Sequence, residues 1–297
     1  MTGWLFLFGT LAAWTAIAFI YRRASAAGAG IYSLNAASGA VNLVLNLGLT
    51  AGYGGLGGAT ASSAFWGAMN GLCMLFAVRG LLTAMAIGSL AATWTVMQLC
   101  FALATVLSLV YPGAAIQATG VFGIVLAALS VVLLGVDKKK EEAASAFPDS
   151  GKTKGRAGRW LVFALMAFLF NGLGAYTLTL MRGSAPDTSM ADRLLFVSTM
   201  SIAMILAGFI GLWQTREKGV RPGLVNGAAI GVLAFVGTHF SMAALNHVPG
   251  FVMYPVTNGG STLLVTLVSV IFLREKAGGW GWAGLIAGTA GIVLLGI

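Results

Sequence analysis

The chain has 297 residues, of which 58% are hydrophobic and only 8% are charged. A soluble domain carries about 25% charged residues, so this composition excludes an ordinary soluble enzyme and predicts an all-α polytopic membrane protein. The formal net charge of +9 does not indicate nucleic-acid binding, because the basic residues lie in short segments between apolar stretches and act there as topology signals.

Ten apolar segments succeed one another along the chain, and each is long enough to cross a hydrocarbon core of about 30 Å as a helix. These spans are predicted at 3–21, 31–51, 62–78, 85–109, 114–136, 160–181, 193–213, 223–245, 250–273 and 279–297. The longest polar segment, 137–158, is rich in charged and small residues and is predicted to be a flexible cytoplasmic linker. It divides the chain into two five-helix units, 1–136 and 159–297.

The distribution of Lys and Arg predicts the orientation, because basic residues favour the cytoplasmic side of a membrane. With the N-terminus outside, 15 of the 17 basic residues fall on the cytoplasmic side, and Arg182 and Arg193 are the exceptions. Arg79 then lies in a short cytoplasmic loop between the third and fourth spans. We therefore expect both termini outside.

The two units repeat in sequence when residues 64–135 are aligned without a gap on residues 225–296. The alignment pairs Gly120 with Gly281 and Gly123 with Gly284, and it pairs the VLLG sequence at 132–135 with the VLLG sequence at 293–296. An odd number of spans in each unit makes the repeat inverted, an arrangement found in many secondary transporters. The predicted fold is therefore ten transmembrane helices in two inverted five-helix repeats, with the solute site near the midplane between them.

Polar and aromatic side chains at mid-depth identify the candidate site, because polar groups are costly to expose to lipid and face protein, water or a ligand instead. The candidate solute-binding residues are Trp14, Asn42, Trp66, Asn70, Trp94, Gln98, Asn171, His239, Tyr254, Asn258 and Ser261. The alternative for each amide is a hydrogen bond that holds two helices together, and the alternative for each tryptophan is a core-filling role. Asn46 lies near the outer end of its span and is expected to matter less for transport.

The segment from Tyr254 to Lys276 carries a family resemblance. Its sequence is YPVTNGGSTLLVTLVSVIFLREK, a proline-headed apolar run that ends in charged residues, and the glycine-rich GGWGWAGLIAGTAGIVLLGI comes after it. These two segments resemble the last two helices of the drug/metabolite transporter superfamily, EamA-like branch, most clearly over 228–297. The resemblance implies alternating access and the export or exchange of amino acids and related metabolites.

The absence of charged residues from the middle of the predicted spans limits the class of substrate that we expect. No Asp, Glu, Lys or Arg lies in the middle of a predicted span, which favours a neutral or zwitterionic solute over a charged one. A quaternary ammonium or lipophilic cation held in an aromatic cage is the alternative. No catalytic motif and no metal-ligand spacing occur, so we expect no enzyme activity, cofactor or metal, and a membrane-embedded enzyme or scaffold is a remote alternative.

Three further expectations concern assembly, location and coupling. Gly284 and Gly288 form a GxxxG motif, with Gly291 one turn on, and predict a close helix contact within the chain or in a homodimer. Trp160 lies at a span end and is predicted to be an interface anchor. The expected location is a bacterial cytoplasmic membrane, and without a mid-depth carboxylate we expect facilitated diffusion or exchange, with any pH dependence arising from His239.

Overall fold

The structure is a computed structural model and describes residues 2–100, 118–145, 156–184, 189–244, 255–274 and 278–295, with the single positions 103, 107 and 247. The described part is helical throughout and contains no strand. Its elements are α1 Thr2–Ala26, α2 Ile31–Gly52, α3 Ala61–Ile87, α4 Leu90–Gln98, α5 Ala118–Ser145, α6 Arg156–Ser184, α7 Met190–Thr215, α8 Val220–Ala244, a π-helical turn Pro255–Gly259, α9 Gly260–Ile271 and α10 Gly279–Leu295.

Six of these helices are long and apolar enough to cross a membrane, namely α1, α2, α3, α6, α7 and α8. Shorter apolar helices cover 118–134, 256–271 and 279–294. For the described residues, the prediction of an all-helical fold with several helices that could cross a membrane is therefore confirmed. The helical form arises from the apolar sequence, because a helix satisfies all backbone hydrogen bonds within itself where no water can do so.

Two predicted loops are wrong in the described residues. The predicted break after 78 does not occur, because α3 continues from Ala61 to Ile87 and carries Arg79 inside it. The start of the predicted flexible linker is helical to Ser145, and its end is helical from Arg156, while 146–155 lie outside the described residues. A charge ends a membrane span but does not end a helix, and Lys, Glu and Ala are good helix formers.

The helices pack mainly across the two sequence units. The pairs in close contact are α3 with α6, α3 with α7, α2 with α7, α2 with α8, α1 with α8 and α5 with α10. Two of these pairs, α3–α7 and α2–α8, run parallel: contacts advance together from Gly67 to Gly71 along α7, and from Gly227 to Gly231 along α2. Glycine is required at Gly67 and Gly227, because a side chain there would collide with a backbone carbonyl of the facing helix.

The glycine face of α10 packs within the chain. Gly284 lies against Leu134, Gly288 against Ser130, and Gly291 against the Gly123 turn of α5. Ser130 Oγ also donates a hydrogen bond to the Gly284 carbonyl at 2.7 Å. Of the two predicted roles for this face, the contact within the chain is the one observed, so these glycines are covered by α5.

The helix ends that meet beside the start of α6 form one end of the bundle, which we call the linker side. An apolar cluster lies towards this side and joins α1, α2, α3, α4 and α8, with smaller contributions from α6 and α9. Its largest fully buried members are Trp94, Leu34, Leu81, Met85 and Leu90. The interior is therefore packed by apolar side chains between the mid-depth residues and this end.

Candidate functional site

Two short elements meet side by side in the interior and bring four of the predicted site residues together. Trp94 Nε1 of α4 donates to Ser261 Oγ of α9 at 3.2 Å, and both side chains are buried. One turn further, Gln98 Nε2 donates to Asn258 Oδ1 of the π-helical turn at 3.2 Å. We call these four residues the amide–tryptophan cluster.

Local sequence explains why both elements are short or irregular at this point. Ser89 caps α4 through its hydroxyl, which accepts from Ala92 N at 3.3 Å. On the other side, Pro255 opens a π-helical turn, and single π turns in helices occur frequently at functional sites. Thr262 Oγ1 donates to the Asn258 carbonyl at 2.9 Å, which holds the turn against α9. The cluster therefore presents amide and hydroxyl groups at an irregular segment of backbone.

Asn171 extends this polar region towards α6. Its Nδ2 donates to the Cys100 sulfur at 3.1 Å, and Cys100 lies two residues beyond Gln98. Cys100 is buried and not in a disulfide. Five of the predicted residues thus line one continuous region between α4, α6 and the π-helical turn.

Two predicted residues on α3 lie elsewhere. Asn70 Nδ2 donates to the Gly174 carbonyl at 2.7 Å and to Thr177 Oγ1 at 3.1 Å, so this amide joins α3 to α6. Trp66 stacks edge-to-face on Phe65 and packs against the cluster around Phe196. The bond of Asn70 matches the interhelical role that was the alternative at this position.

Trp14 and His239 lie on facing helices, α1 and α8. Gly237 of α8 faces the Trp14 ring, and a Cβ at this position would be in ordinary van der Waals contact with it at 3.5 Å. The His239 ring lies edge-on to Phe235 with 4.5 Å between centroids, and its Nε2 is buried without a hydrogen-bond partner among the described residues. Tyr254, the remaining aromatic candidate, lies outside the described residues.

The polar face of α2 contributes Asn42 and Asn46. Asn46 is fully buried, and its Nδ2 donates to the Leu194 carbonyl at 2.9 Å and to Ser198 Oγ at 2.8 Å. Asn46 therefore links α2 to α7 by hydrogen bonds, a structural role that its place near a span end did not indicate. Asn42 is buried one turn away, and its Oδ1 has no hydrogen-bond partner among the described residues.

The side chains that close the bundle at its linker side were not predicted from the sequence. Arg22 Nη1 donates to the carbonyls of Met85 and Gly88, and Ser25 Oγ donates to the Leu82 carbonyl at 3.0 Å. Arg156 Nη2 reaches the Ile87 carbonyl at 3.1 Å. Cations at the C-terminal end of a helix interact favourably with its dipole, so these bonds hold the end of α3 against α1 and α6. The sequence had indicated only a topology role for both arginines.

Trp160 is also corrected by the structure. Its side chain is fully buried, and its Nε1 donates to Thr93 Oγ1 at 2.9 Å. The interface-anchor prediction is therefore wrong: this tryptophan joins α6 to α4 one residue from Trp94. An aromatic residue at a span end has the same sequence pattern whether its ring faces lipid or a neighbouring helix.

The amide–tryptophan cluster is electrically neutral. Its members carry amide, indole and hydroxyl groups, which donate and accept hydrogen bonds but hold no fixed charge. Among the described residues, no group of three or more His, Cys, Asp or Glu side chains is arranged to hold a metal ion. The arrangement is suited to binding a polar, uncharged or zwitterionic group by hydrogen bonds beside an apolar indole face.

Comparisons with known proteins identify a fold but no family. No protein-family profile matches the chain, and no curated protein matches it. A solved structure described only as the crystal structure of a protein is similar to it, with a TM-score of 0.57 and 14% sequence identity, over 98% of this chain and 94% of that chain. At this identity the likeness shows a shared fold alone.

Proposed function

We propose that the protein is a secondary transporter of a small neutral or zwitterionic organic solute, such as an amino acid or related metabolite. The observation that carries the proposal is the amide–tryptophan cluster, a buried and uncharged polar surface where α4 meets the π-helical turn. Polar groups are costly to keep inside a membrane protein, and those that line an irregular helix at mid-depth are typical of solute sites in transporters.

The pattern of helix contacts supports an inverted repeat. In the proposed repeat, each helix of the first unit is equivalent to one of the second: α1 to α6, α2 to α7, α3 to α8, α4 to α9 and α5 to α10. We exchange these equivalent helices and compare the contacts. The contact of α3 with α6 then becomes that of α8 with α1, and the contact of α3 with α7 becomes that of α8 with α2. The contacts α2–α7, α4–α9 and α5–α10 map onto themselves. A two-fold axis between the repeats produces this exchange, as transporters with inverted repeats require.

Equivalent positions agree with the sequence register of the repeat to within one residue. Gly67 on α3 and Gly227 on α8 both allow close contact with a parallel helix. These glycines are offset by one residue from the ungapped alignment, which pairs Gly67 with Ala228.

The packing suggests which helices move together in alternating access. Dense contacts join α1 and α2 to α8, and α3 to α6 and α7, so each packed group takes helices from both sequence units. The equally dense α2–α7 contact lies at the interface between the two groups. We therefore propose that the bodies that move differ from the sequence units 1–136 and 159–297. The moving groups in this mechanism are α1–α2–α8 and α3–α6–α7, with the solute bound between them.

The conformation described is closed on the linker side. Arg22, Ser25 and Arg156 hold the end of α3, and the apolar cluster lies above them. In the proposed orientation the linker side is cytoplasmic, so solute release to the cytoplasm requires these bonds to break. The proposed location is a bacterial cytoplasmic membrane, with both chain termini on its outer side.

The tryptophans bear on the alternative substrate, a quaternary ammonium or lipophilic cation. An aromatic cage needs several rings around one point, within about 6 Å of the cation. Trp66 packs in the cluster with Phe196, whereas Trp94 hydrogen-bonds to Ser261 at the centre. This separation favours the neutral or zwitterionic solute, held by hydrogen bonds at the cluster. The proposed family is the drug/metabolite transporter superfamily.

The test is solute uptake by the purified protein in proteoliposomes, using a panel of amino acids and small polar metabolites. Gln98→Ala and Asn258→Ala remove the two amides of one contact and should each lower transport per folded molecule at least tenfold. Asn70→Ala is the matched control, because its amide joins α3 to α6 away from the cluster; it should lower stability but retain transport per folded molecule. Equal loss in all three variants, or no uptake of any solute, would contradict the proposal.

A further inference from the structure

An open groove of about 400 Å³ lies on the surface of the helix bundle between α2, α3 and α7. Its walls are apolar and include Leu72, Phe76, Leu206 and Ile210, whose side chains are 42%, 41%, 56% and 53% exposed. The amide–tryptophan cluster contributes no residue to it. The groove therefore faces the surroundings of the bundle and not the proposed solute site.

The polar residues of the groove gather at its linker end. Tyr32 is the second residue of α2, and Gln214 is the last but one of α7. Arg79 lies eight residues before the end of α3, so α3 extends about 12 Å beyond it. Because Arg79 contacts the Tyr32 hydroxyl and lines the groove with Gln214, it is level with the start of α2 and the end of α7. In the proposed orientation we place this level where a membrane's hydrocarbon gives way to its headgroups.

The wall beside Arg79 is built by one close contact. The Tyr32 ring lies where a side chain at position 211 would be, so Gly211 allows the ring to pack flat on α7. Arg79 Nη1 makes a long contact of 3.5 Å with the Tyr32 hydroxyl. The guanidinium thus stays at the open end of the groove and is exposed.

The charge of Arg79 is not neutralised within the described residues. Its hydrogen bond goes to a neutral phenol, and the neighbouring carboxylate, Glu217, accepts from Tyr32 N and from Ser33 N and Oγ instead. A cation at the edge of the hydrocarbon is stabilised by an anion at the same depth, and phosphate pairs well with the guanidinium fork.

We propose that this groove binds one anionic phospholipid of the linker-side leaflet. Its phosphate contacts Arg79, with Tyr32 and Gln214 as neutral hydrogen-bonding partners, and one acyl chain lies along the apolar walls. The walls run about 10 Å from Arg79 to Leu72 on α3 and about 16 Å from Gln214 to Ala203 on α7, which accommodates the upper part of a chain. The proposal rests on the proposed membrane orientation and not on transport.

The position of the groove predicts an effect of the bound lipid on the conformation of the protein. It joins α2, from one of the two proposed moving groups, to α3 and α7 from the other. A lipid held there contacts both groups and favours the conformation in which the groove has this shape. The lipid should therefore raise thermal stability, since a ligand that binds the folded state stabilises it.

The experiment measures lipid binding by native mass spectrometry and thermal shift, using the full chain delipidated in neutral detergent. Phosphatidylglycerol and phosphatidylcholine with identical chains are compared as probes. We expect phosphatidylglycerol to bind at least tenfold more tightly, and Arg79→Gln to abolish that preference. Arg23→Gln is the matched control, because Arg23 is an exposed cation at the linker side outside the groove, and its removal should leave the preference intact.

A second variant tests the acyl-chain part of the groove separately from the charge of Arg79. Ala207 lines the groove, so Ala207→Trp should fill it and weaken phosphatidylglycerol at least tenfold while leaving Arg79 in place. The proposal is overturned if the two lipids bind equally, if Arg23→Gln removes the preference as fully as Arg79→Gln, or if Ala207→Trp has no effect. None of these measurements uses solute uptake, so failure of the transport proposal would be seen separately.

Discussion

The two parallel helix pairs, α3–α7 and α2–α8, face the same electrostatic problem at opposite ends of the bundle. In each pair two helix N-termini come together, and each N-terminus carries a partial positive charge. Asp192 lies between the N-termini of α3 and α7, and Glu217 lies between those of α2 and α8. Asp192 accepts hydrogen bonds at both helix starts of its pair. Glu217 precedes α8 by three residues and accepts its hydrogen bonds from the start of α2.

The two carboxylates reach their positions from different places in the sequence. Asp192 belongs to the first turn of α7, is 2% exposed and accepts five hydrogen bonds, from Thr60 N and Oγ1, Ser63 Oγ, and Ser189 N and Oγ. Glu217 belongs to the loop before α8, is partly exposed and accepts three, from Tyr32 N and from Ser33 N and Oγ. The two ends are therefore alike in their physics but not in their residues.

The largest expected effect is that of Asp192→Ala. The change removes the acceptor used by the buried Ser63 hydroxyl, by the half-buried Thr60 and by the exposed Ser189, and it removes the capping box of α7. We expect a loss of about 3 kcal/mol or more of folding free energy, measured by reversible SDS titration in mixed micelles. Asp137→Ala is the control, because Asp137 accepts one exposed bond, from Gly278 N at 3.2 Å, and should cost less than about 1 kcal/mol. Equal losses of folding free energy in the two variants would mean that Asp192 contributes no more to stability than the exposed Asp137.

The glycines within the two pairs give the next largest effect and test their equivalence. Gly67→Ala and Gly227→Ala each place a methyl group against a backbone carbonyl, Phe196 O or Leu34 O, which cannot move aside as a side chain does. Each should cost about 1–3 kcal/mol in the same titration. Gly48→Ala is the control in open space and should be neutral or slightly stabilising. A large cost in one pair and none in the other would break the equivalence.

Glu217→Gln should have a smaller effect than Asp192→Ala, since the carboxylate is partly exposed and the amide retains one acceptor oxygen. We expect a loss of about 1–2 kcal/mol, because the N-terminus of α2 begins at Gly30 and has no side-chain cap of its own. Differential scanning fluorimetry in detergent provides a second measurement. A loss as large as that of Asp192→Ala would mean that burial does not distinguish the two ends.

The sequence predicted the features that depend on composition and period, and it failed where two arrangements share one pattern. The long apolar runs predicted the helices, and the mid-depth polar residues included Trp94, Gln98, Asn258 and Ser261. Their pairing across α4 and the π-helical turn could not be predicted, because spacing within a segment carries no information about its partner. The sequence identified these residues as polar or aromatic groups within apolar segments, and it did not identify the contacts between them.

The errors at Arg79, Trp160 and the linker have physical causes. Arg79 was assigned to a loop because a charge was taken to mark the end of a membrane span, yet α3 continues as a helix past this charge. Segment 137–145 contains Lys, Glu and Ala, whose helix propensity is high enough to extend α5. In both cases the membrane boundary was mistaken for the helix boundary. Trp160 and Asn46 were judged by their depth alone, and their partners on neighbouring helices cannot be read from one segment.

Asn46→Ala should have the smallest effect and show whether the two pairs are independent. Asn46 lies on α2 of one pair and donates to Leu194 O and Ser198 Oγ on α7 of the other, so it joins them. Interhelical hydrogen bonds in membranes are worth about 0.6 kcal/mol on average and up to about 1.7, and we expect a loss in this range.

The double-mutant combinations of Asn46→Ala then locate the coupling. Leu194 is two residues from Asp192, whereas the Glu217 cluster with Ser33 lies at the other end of α2, about 20 Å away. The loss should therefore add to that of Glu217→Gln within about 0.5 kcal/mol and depart from additivity with Asp192→Ala, because only neighbours share partners. Additivity with both would make the α2–α7 contact independent of either end. Coupling to both would mean that the two pairs fold as one unit, so that the difference between their carboxylates has no consequence beyond burial.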